Sequence, residues 1–412
     1  MKAHAAASID DPTGADVIRL DDGRRIHAIV EDGYGAVMDV FVANFLERHD
    51  VGAGCAVYVD GRRVVDLWGG IADSRSLRTW EHDTAVVMFS CTKGVLAICA
   101  YLLVQDGRLD LDSPIARYWP AFGCLGKAAI TVRDAMSHRA GLAALDIDLT
   151  RDEVLAWDPV LRAIEAQRPS HPPYAGHLYH AMTYGWLLGE VIHRVGGAMP
   201  GPFVRQQLGQ RLALRTWIGL PTAMCETVAW MEPPLPDEDS DAARESSSLA
   251  NENVIVSRSV TMGGAFAFPA NDGIVTFNDP DIQAGEIPAA NGISSAESLA
   301  RLYAACVSEI DGPALLSRAS ISDARRVQAS GRQLSGMPDD GARWGTGFQL
   351  SSPPSQPMLG PTSFGHAGAG GQLGFADDRH RVGFAYLSNQ MGGYGDARAR
   401  ALTLALRAVL GD

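Results

Sequence analysis

Val86-Val87-Met88-Phe89-Ser90-Cys91-Thr92-Lys93-Gly94-Val95-Leu96-Ala97-Ile98-Cys99-Ala100 runs from a short apolar stretch into a segment that is apolar nearly all round. Val86 to Phe89 reads as strand-like, and Gly94 to Gln105 as a helix buried on most of its sides. Ser90 and Lys93 stand three residues apart at the start of that helix, so hydroxyl and amine share one face within hydrogen-bonding reach. A helix N-terminus favours a developing alkoxide, and desolvation lowers a lysine's pKa or keeps a nearby base ionised. A weak hydroxyl becomes a nucleophile in this way. The spacing alone is common. Its place between an apolar strand and a buried helix gives it weight.

Lysine is scarce around this pair. Of 35 Lys+Arg in 412 residues, only Lys2, Lys93 and Lys127 are lysines. The bias is most simply codon usage, but at position 93 arginine would keep its proton and its bulk where a compact amine of adjustable pKa is needed. Lys2 and Lys127 lie in no comparable sequence context.

Working outward, residues 1–33 read as an irregular arm, followed by a helix over 36–48 with Val37, Val40, Phe41 and Phe45 on one face. Cys55 to Gly70 gives two β-branched runs around Asp60-Gly61, a tight antiparallel hairpin. Downstream, Asp106-Gly107 ends the buried helix, residues 109–120 read as loop, and Thr131 to Ser137 as a short helix. An amphipathic helix runs from Tyr179 to Val195 and stops at Gly196-Gly197. Residues 231–250, rich in proline, acids and serine, form the best candidate for a mobile surface loop. Ser294 or Ser295 caps a helix reaching Ser308, with Leu299, Leu302, Tyr303 and Cys306 inward. Short strands follow over 345–350, 363–366, 372–376 and 382–389, and Asp396 caps a closing helix to Leu410. Strands lie at both ends and helices between. The expected division is an α/β lobe from residues 1–85 and 285–412 and a mainly helical lobe over 86–284 carrying Ser90, Lys93 and Tyr179.

Two further segments carry chemistry. In Leu178-Tyr179-His180-Ala181, a tyrosine at the mouth of a helix can serve as general base if a lysine nearby lowers its pKa. In Phe364-Gly365-His366-Ala367-Gly368-Ala369-Gly370-Gly371, glycines at a strand edge admit close approach of a substrate, and a strand N–H can form half of an oxyanion hole. Other chemistry is weaker. His177 and His180 lack a nearby acidic third ligand, so neither a metal nor a cofactor is expected. Cys91 points away from Ser90 on the helix and reads as core packing. Asp134 and His138 read as a structural hydrogen-bonding pair. No Gly-x-Ser-x-Gly elbow, His-Glu-x-x-His or Gly-x-x-x-x-Gly-Lys occurs.

Composition narrows the partners. With 46% hydrophobic and 20% charged residues the chain is ordinary globular protein, and a net charge of −13 without any basic run is a poor footprint for nucleic acid or an anionic membrane. The longest apolar run, Val95 to Val104, is too short to span a bilayer, which takes about 20 residues. The first 20 residues lack an apolar core for a secretory signal, and six scattered cysteines read as reduced and buried. These features point to a cytoplasmic protein with a small-molecule partner.

Taken in order, Val57-Tyr-Val-Asp-Gly61, Phe89-Ser-Cys-Thr-Lys-Gly94, Ile130-Thr-Val-Arg-Asp134 with Ser137-His-Arg-Ala-Gly-Leu142, Tyr179-His-Ala181, Gly292-Ile-Ser-Ser-Ala296 and His366-Ala-Gly368 resemble the serine hydrolases of the class C β-lactamase and penicillin-binding-protein group. The resemblance is strongest to their family VIII carboxylesterase branch, and it covers most of the chain. It implies a β-lactamase/transpeptidase-like fold, an antiparallel sheet flanked by helices with an inserted helical lobe. It also implies Ser90 as nucleophile, Lys93 as its partner, Tyr179 as general base, and backbone N–H groups of Ser90 and Ala369 as oxyanion hole. His366, Gly368 and Gly370 would line the substrate cleft. A neutral Lys93 taking the proton and a cationic Lys93 holding Tyr179 as phenolate both remain open.

Two departures from the β-lactamases point to substrate. Their Tyr-x-Asn is replaced at Ala181, removing a side chain that would bond a substrate amide, and their Lys-Thr-Gly is His366-Ala367-Gly368, removing a cation that would attract a carboxylate. An ester or other uncharged acyl substrate is expected. The alternatives are an acyltransferase working through the same acyl-enzyme, a β-lactamase or D-aminopeptidase-type amidase, and a catalytically silent binding scaffold.

Overall fold

A computed structural model describes residues 3–5, 14–235, 252–266, 275–353, 356–393 and 395–411. Strands from both ends of the chain build its frame. Near the N-terminus these are β1 (Ala3–Ala5), β2 (Asp16–Leu20), β3 (Arg25–Val30), β4 (Gly52–Val59), β5 (Arg62–Asp73) and β6 (Arg78–Thr79). A second, three-stranded sheet holds β7 (Val86–Val87), β8 (Thr216–Trp217) and β9 (Ile293–Ser294) in the order β7-β9-β8. The C-terminal part adds β10 (Ala329–Ser330), β11 (Arg343–Trp344), β12 (Gln349–Leu350), β13 (Ser363–Gly368), β14 (Gln372–Asp377) and β15 (Val382–Ser388). The main sheet has twelve strands, in the order β1-β2-β3-β5-β4-β15-β14-β13-β12-β11-β10 with β6 on β5. Among the described residues, all its strand pairings are antiparallel.

The strand period of two sends alternate side chains into two cores. Cys55, Val57, Phe375, Phe384 and Tyr386 face the helices Gly35–Glu47 and Arg398–Val409, which bring Val37, Phe41, Phe45, Leu402 and Leu406. Ala56, Ala376 and Ala385 face the other way, toward the helix Ala296–Val307, capped by the Ser295 hydroxyl. Small residues on that face let the helix lie close. A Cβ at Gly383 would stand 2.2 Å from the Ala304 backbone nitrogen. In the hairpin of β4 and β5, Val59 lies opposite Arg62, and both Asp60 and Gly61 have positive φ, as the shortest right-twisting turn requires.

Several sequence-based expectations are corrected. Residues 16–30, read as part of an irregular arm, form the β2–β3 hairpin, with Ile18 opposite Ile26, laid along β5. Each run is five or six residues long and broken by a polar residue, Arg19 in β2 and His27 in β3, so its strand character comes from the partner strand more than from local preference. The helix read from Tyr179 begins at Thr183. Tyr179 lies before it. The candidate loop 231–250 lies outside the described residues except for 231–235, where the Glu232 N–H donates to the Asn389 carbonyl. Lys127 is as buried as Lys93, with its amine on the Glu165 and Gln167 carbonyls. Four cysteines are buried, but Cys124 is exposed and Cys225 partly so. Among the described residues, no helix is long and apolar enough to cross a membrane.

The buried helix Cys91–Gln105 makes one contact that can be tested directly. A Cβ at Gly94 would lie 2.1 Å from the hydroxyl of Tyr303, itself wholly buried and without a hydrogen-bond partner among the described residues. Gly94→Ala is expected to destabilise the fold by about 2 to 3 kcal/mol through overpacking. Tyr303→Phe alone should be neutral or stabilising, because it removes an unsatisfied buried polar group. The double variant should recover most of the loss, since the ring carbon left behind is 3.3 Å from the new methyl. Urea unfolding of the four proteins measures the coupling. Simple additivity would show that the two groups do not collide.

Candidate active site

Phe89 brings the chain from β7 into the helix with φ +44°, a left-handed conformation costly for a bulky residue. The turn is held from both sides: the Met88 N–H donates to the Gly292 carbonyl at 2.8 Å, and Gly292 N–H donates to Thr92 Oγ1 at 2.9 Å. Ser90 is thereby set at the helix N-terminus, partly exposed, while Lys93 behind it is fully buried.

Two side chains converge on one hydroxyl. Lys93 Nζ lies 3.0 Å from Ser90 Oγ, and Tyr179 Oη lies 2.9 Å from it. The amine also donates to the Ala289 carbonyl at 2.9 Å. Burial drives the Lys93 amine well below the ordinary lysine value and pushes the Tyr179 phenol up. Both shifts favour the uncharged pair. A neutral amine has two protons and a lone pair, so it can donate to Ala289 and accept from Ser90 while Ser90 Oγ accepts from Tyr179.

Tyr179 is oriented by groups that local sequence does not reveal. Its N–H donates to Gln333 Oε1 at 2.9 Å, and its ring stacks on Trp344 with centroids 5.2 Å apart. His138 lies 4.7 Å from the same ring and accepts the His180 N–H at Nδ1, 3.2 Å away. His180 in turn places Nδ1 2.6 Å from the Leu178 carbonyl and accepts the Leu142 N–H at Nε2. These bonds define neutral imidazoles. His138 is therefore not the partner of Asp134, whose carboxylate caps its own helix through Thr131 and pairs with Arg139 at 2.9 Å. His177 is buried with Nε2 unpaired among the described residues, and no group of three or more His, Cys, Asp or Glu among them is arranged to hold a metal ion.

The end of β13 closes the site. Cys91 Sγ donates to the His366 carbonyl at 3.1 Å, and a Cβ at Gly368 would stand 2.4 Å from the Met88 carbonyl. Burial raises the Cys91 thiol's pKa, and the sulfur packs against the strand. His366 is buried, with Nδ1 2.6 Å from the Ala367 carbonyl and Nε2 without a partner among the described residues. Desolvation, with Lys93 adding to it, holds its pKa down to about 3. Ala369 is exposed in the following turn, and neither its N–H nor that of Ser90 donates to an acceptor among the described residues. Gly370, expected along the cleft, is buried against Met391.

The buried histidines give a pH prediction. Desolvation holds His180 at about 3 and lowers His138 and His177, as it does His366. In the unfolded chain each protonates near 6.5. Unfolding therefore takes up protons in the window between those values, and stability falls as pH drops below 6.5. Each such group contributes up to about 1.4 kcal/mol per pH unit. His82, raised by its hydrogen bond to Asp66, and Glu286, raised by burial, oppose the trend. Urea midpoints at pH 7, 6 and 5 should decline steadily. A flat profile would mean that these imidazoles are not buried neutral.

A mixed fold of this topology, with a serine hydroxyl between lysine and tyrosine at the junction of sheet and helices, defines a β-lactamase-fold serine hydrolase. The β-lactamase family model matches residues 37–408, and the chain belongs to that family. It is 34% identical over 378 residues to the esterase/β-lactamase LipL of Mycobacterium tuberculosis, spanning 90% of this chain and 84% of that protein. Among solved structures, a penicillin-binding-protein homolog from Caulobacter crescentus is similar with a TM-score of 0.79 at 33% identity, covering 93% of this chain and 99% of the other. A family VIII carboxylesterase is similar with a TM-score of 0.79 at 29% identity, again over 93% and 99%.

Proposed function

We propose that the protein is a serine carboxylesterase in which Ser90 is the nucleophile. The observation that carries this reading is the placing of Ser90 Oγ within 3.0 Å of both the Lys93 amine and the Tyr179 phenol. The uncharged Lys93 takes the Ser90 proton as Oγ attacks the ester carbonyl, and the developing oxyanion is met by the N–H groups of Ser90 and Ala369. Tyr179 passes a proton to the departing alkoxide and recovers one from Lys93. Water then attacks the acyl-enzyme with the same groups acting in reverse, releasing the acid and restoring Ser90. The α/β lobe formed by residues 1–85 and 285–412 supplies the Ala369 side of the cleft, and the helical lobe over 86–284 supplies Ser90, Lys93 and Tyr179.

Substrate preference follows from His366 and Ala181. A neutral imidazole gives no Coulombic attraction to a carboxylate where the β-lactamases hold a lysine. Alanine at 181 offers no amide partner. The names of the M. tuberculosis relative and of the solved carboxylesterase agree with ester cleavage. The test pairs a short-chain nitrophenyl ester with a chromogenic cephalosporin, and treats the enzyme with a fluorophosphonate. Ester turnover, slow cephalosporin turnover and a single adduct on the Ser90 peptide are expected. Fast cephalosporin turnover would overturn the reading of His366 and Ala181, and an unlabelled Ser90 would overturn the nucleophile.

A further inference from the structure

The turn that follows β13 is built from residues that do not hold their own shape. Gly370 and Gly371 have φ of +80° and +94°, a region that glycine enters and leaves at little cost. An oxyanion donor acts through preorganisation, so something outside the turn must fix it. That role falls to Arg398, first residue of the closing helix and almost wholly buried. Its Nη2 donates to the Gly370 carbonyl at 2.9 Å and to the Gln390 carbonyl at 2.8 Å. Nη1 donates to Asp50 Oδ1 at 2.6 Å and to Ser388 Oγ at 3.2 Å, and Nε donates to Asp396 at 2.9 Å. All five guanidinium protons are thus accounted for, a demand that three ammonium protons cannot meet.

The surroundings fix the guanidinium in turn. Asp50 also accepts from the Tyr386 and Ser388 hydroxyls, which belong to β15. Asp396 fills the space beside the turn so closely that a Cβ at Gly371 would lie 2.4 Å from its carboxylate. The Gly370 carbonyl receives a second bond from the Gly392 N–H at 3.2 Å. Arg398 touches neither Ser90 nor Lys93 in any of these bonds. Its reach to the site is through the turn.

We infer that Arg398 is a positioning residue for the oxyanion hole, clamping the Ala369–Gly371 turn through the Gly370 carbonyl so that the Ala369 N–H is held ready for the transition state. This rests on the proposed role of Ala369 in ester hydrolysis. Arg398→Lys keeps the charge opposite Asp50 and Asp396 but cannot hold both sides of the turn. It should lower kcat about 10- to 100-fold with KM changed less than threefold. Inhibition by phenylboronic acid, which adds to Ser90 and carries a boron-bound oxygen where the oxyanion forms, should weaken by a similar factor. Rates are taken per active site titrated with fluorophosphonate, so that unfolded protein does not count. If Arg398→Lys does not fold, Asp396→Ala carries the test. It removes the Asp396 partner of both Nε and Nη2 while leaving the pair with Asp50, and should lower kcat about fivefold with the same loss of boronate affinity. Wild-type kcat and boronate affinity per titrated site, whatever the melting temperature, would make Arg398 a purely structural residue. A wild-type enzyme that neither hydrolyses the ester nor accepts the fluorophosphonate would instead overturn the proposed function itself.

Discussion

Ser90→Ala is expected to lower turnover of a nitrophenyl ester by about four orders of magnitude or more. The substitution deletes the one atom on which the Lys93 amine and the Tyr179 phenol converge. The adjacent Cys91 does not replace it, because its sulfur is turned toward the His366 carbonyl. The fold should be little affected, because Ser90 is partly exposed and its side chain makes no cap bond to the helix. Loss of turnover with an unchanged unfolding midpoint is the expected pair of results. Ester turnover at the wild-type rate in this variant would remove Ser90 from the mechanism and leave the resemblance without its central residue.

Lys93→Arg is expected to cost about a thousandfold in kcat/KM, within the range for losing a general base. Two physical effects act together. Arginine keeps its proton and offers no lone pair to Ser90, and its guanidinium must enter a fully buried space bounded by Tyr179 and Tyr184, whose ring centres lie 5.0 and 5.9 Å from the present amine. Lys93→Met separates them. It matches the length of the side chain, removes the buried amine and should keep or raise stability while losing turnover to a similar extent. Activity near the wild-type level in the methionine variant would exclude Lys93 as base. The wild-type pH profile supplies an independent check: with the amine's pKa depressed by burial, kcat/KM should rise with pH through that lowered value and then level off, and the rise should be absent from the methionine variant.

The parts of the site that could be read in advance are those written in consecutive residues. Ser90 and Lys93 are joined by one helical turn, and the glycines after His366 announce a strand that a second chain segment can approach. The hairpin around Asp60-Gly61 is legible for the same reason, since its turn chemistry is local. Trp344, Gln333 and His180 are different. Trp344 reaches Tyr179 only because β11 is placed by its pairing with β12 at the far end of the sheet, and nothing in its own neighbourhood says so. The four-residue spacing of Asp134 and His138 suggests a helical pair, whereas the helix ends at Met136 and His138 itself has φ +62°. The β2–β3 hairpin is hidden locally because Arg19 and His27 interrupt short apolar runs. Lys127 shows a limit of composition: scarcity of lysine marks two buried amines here, and only one of them lies beside a hydroxyl.

The pairing of β4 with β15 has a bearing on how the molecule comes into being. The two strands lie side by side at the centre of the sheet, and the Asn389 side chain accepts the N–H of Gly52 from 337 residues away along the chain. During synthesis, β4 emerges early and must wait for nearly the whole polypeptide before its neighbour arrives, with an apolar edge and the helices of the middle segment already made. Long-range closure of this kind slows folding and prolongs the exposure of unpaired strand. Production of this protein should therefore be limited by the lifetime of the unfinished chain more than by the stability of the finished one, so that a chaperone that covers exposed apolar strand during synthesis raises the soluble yield.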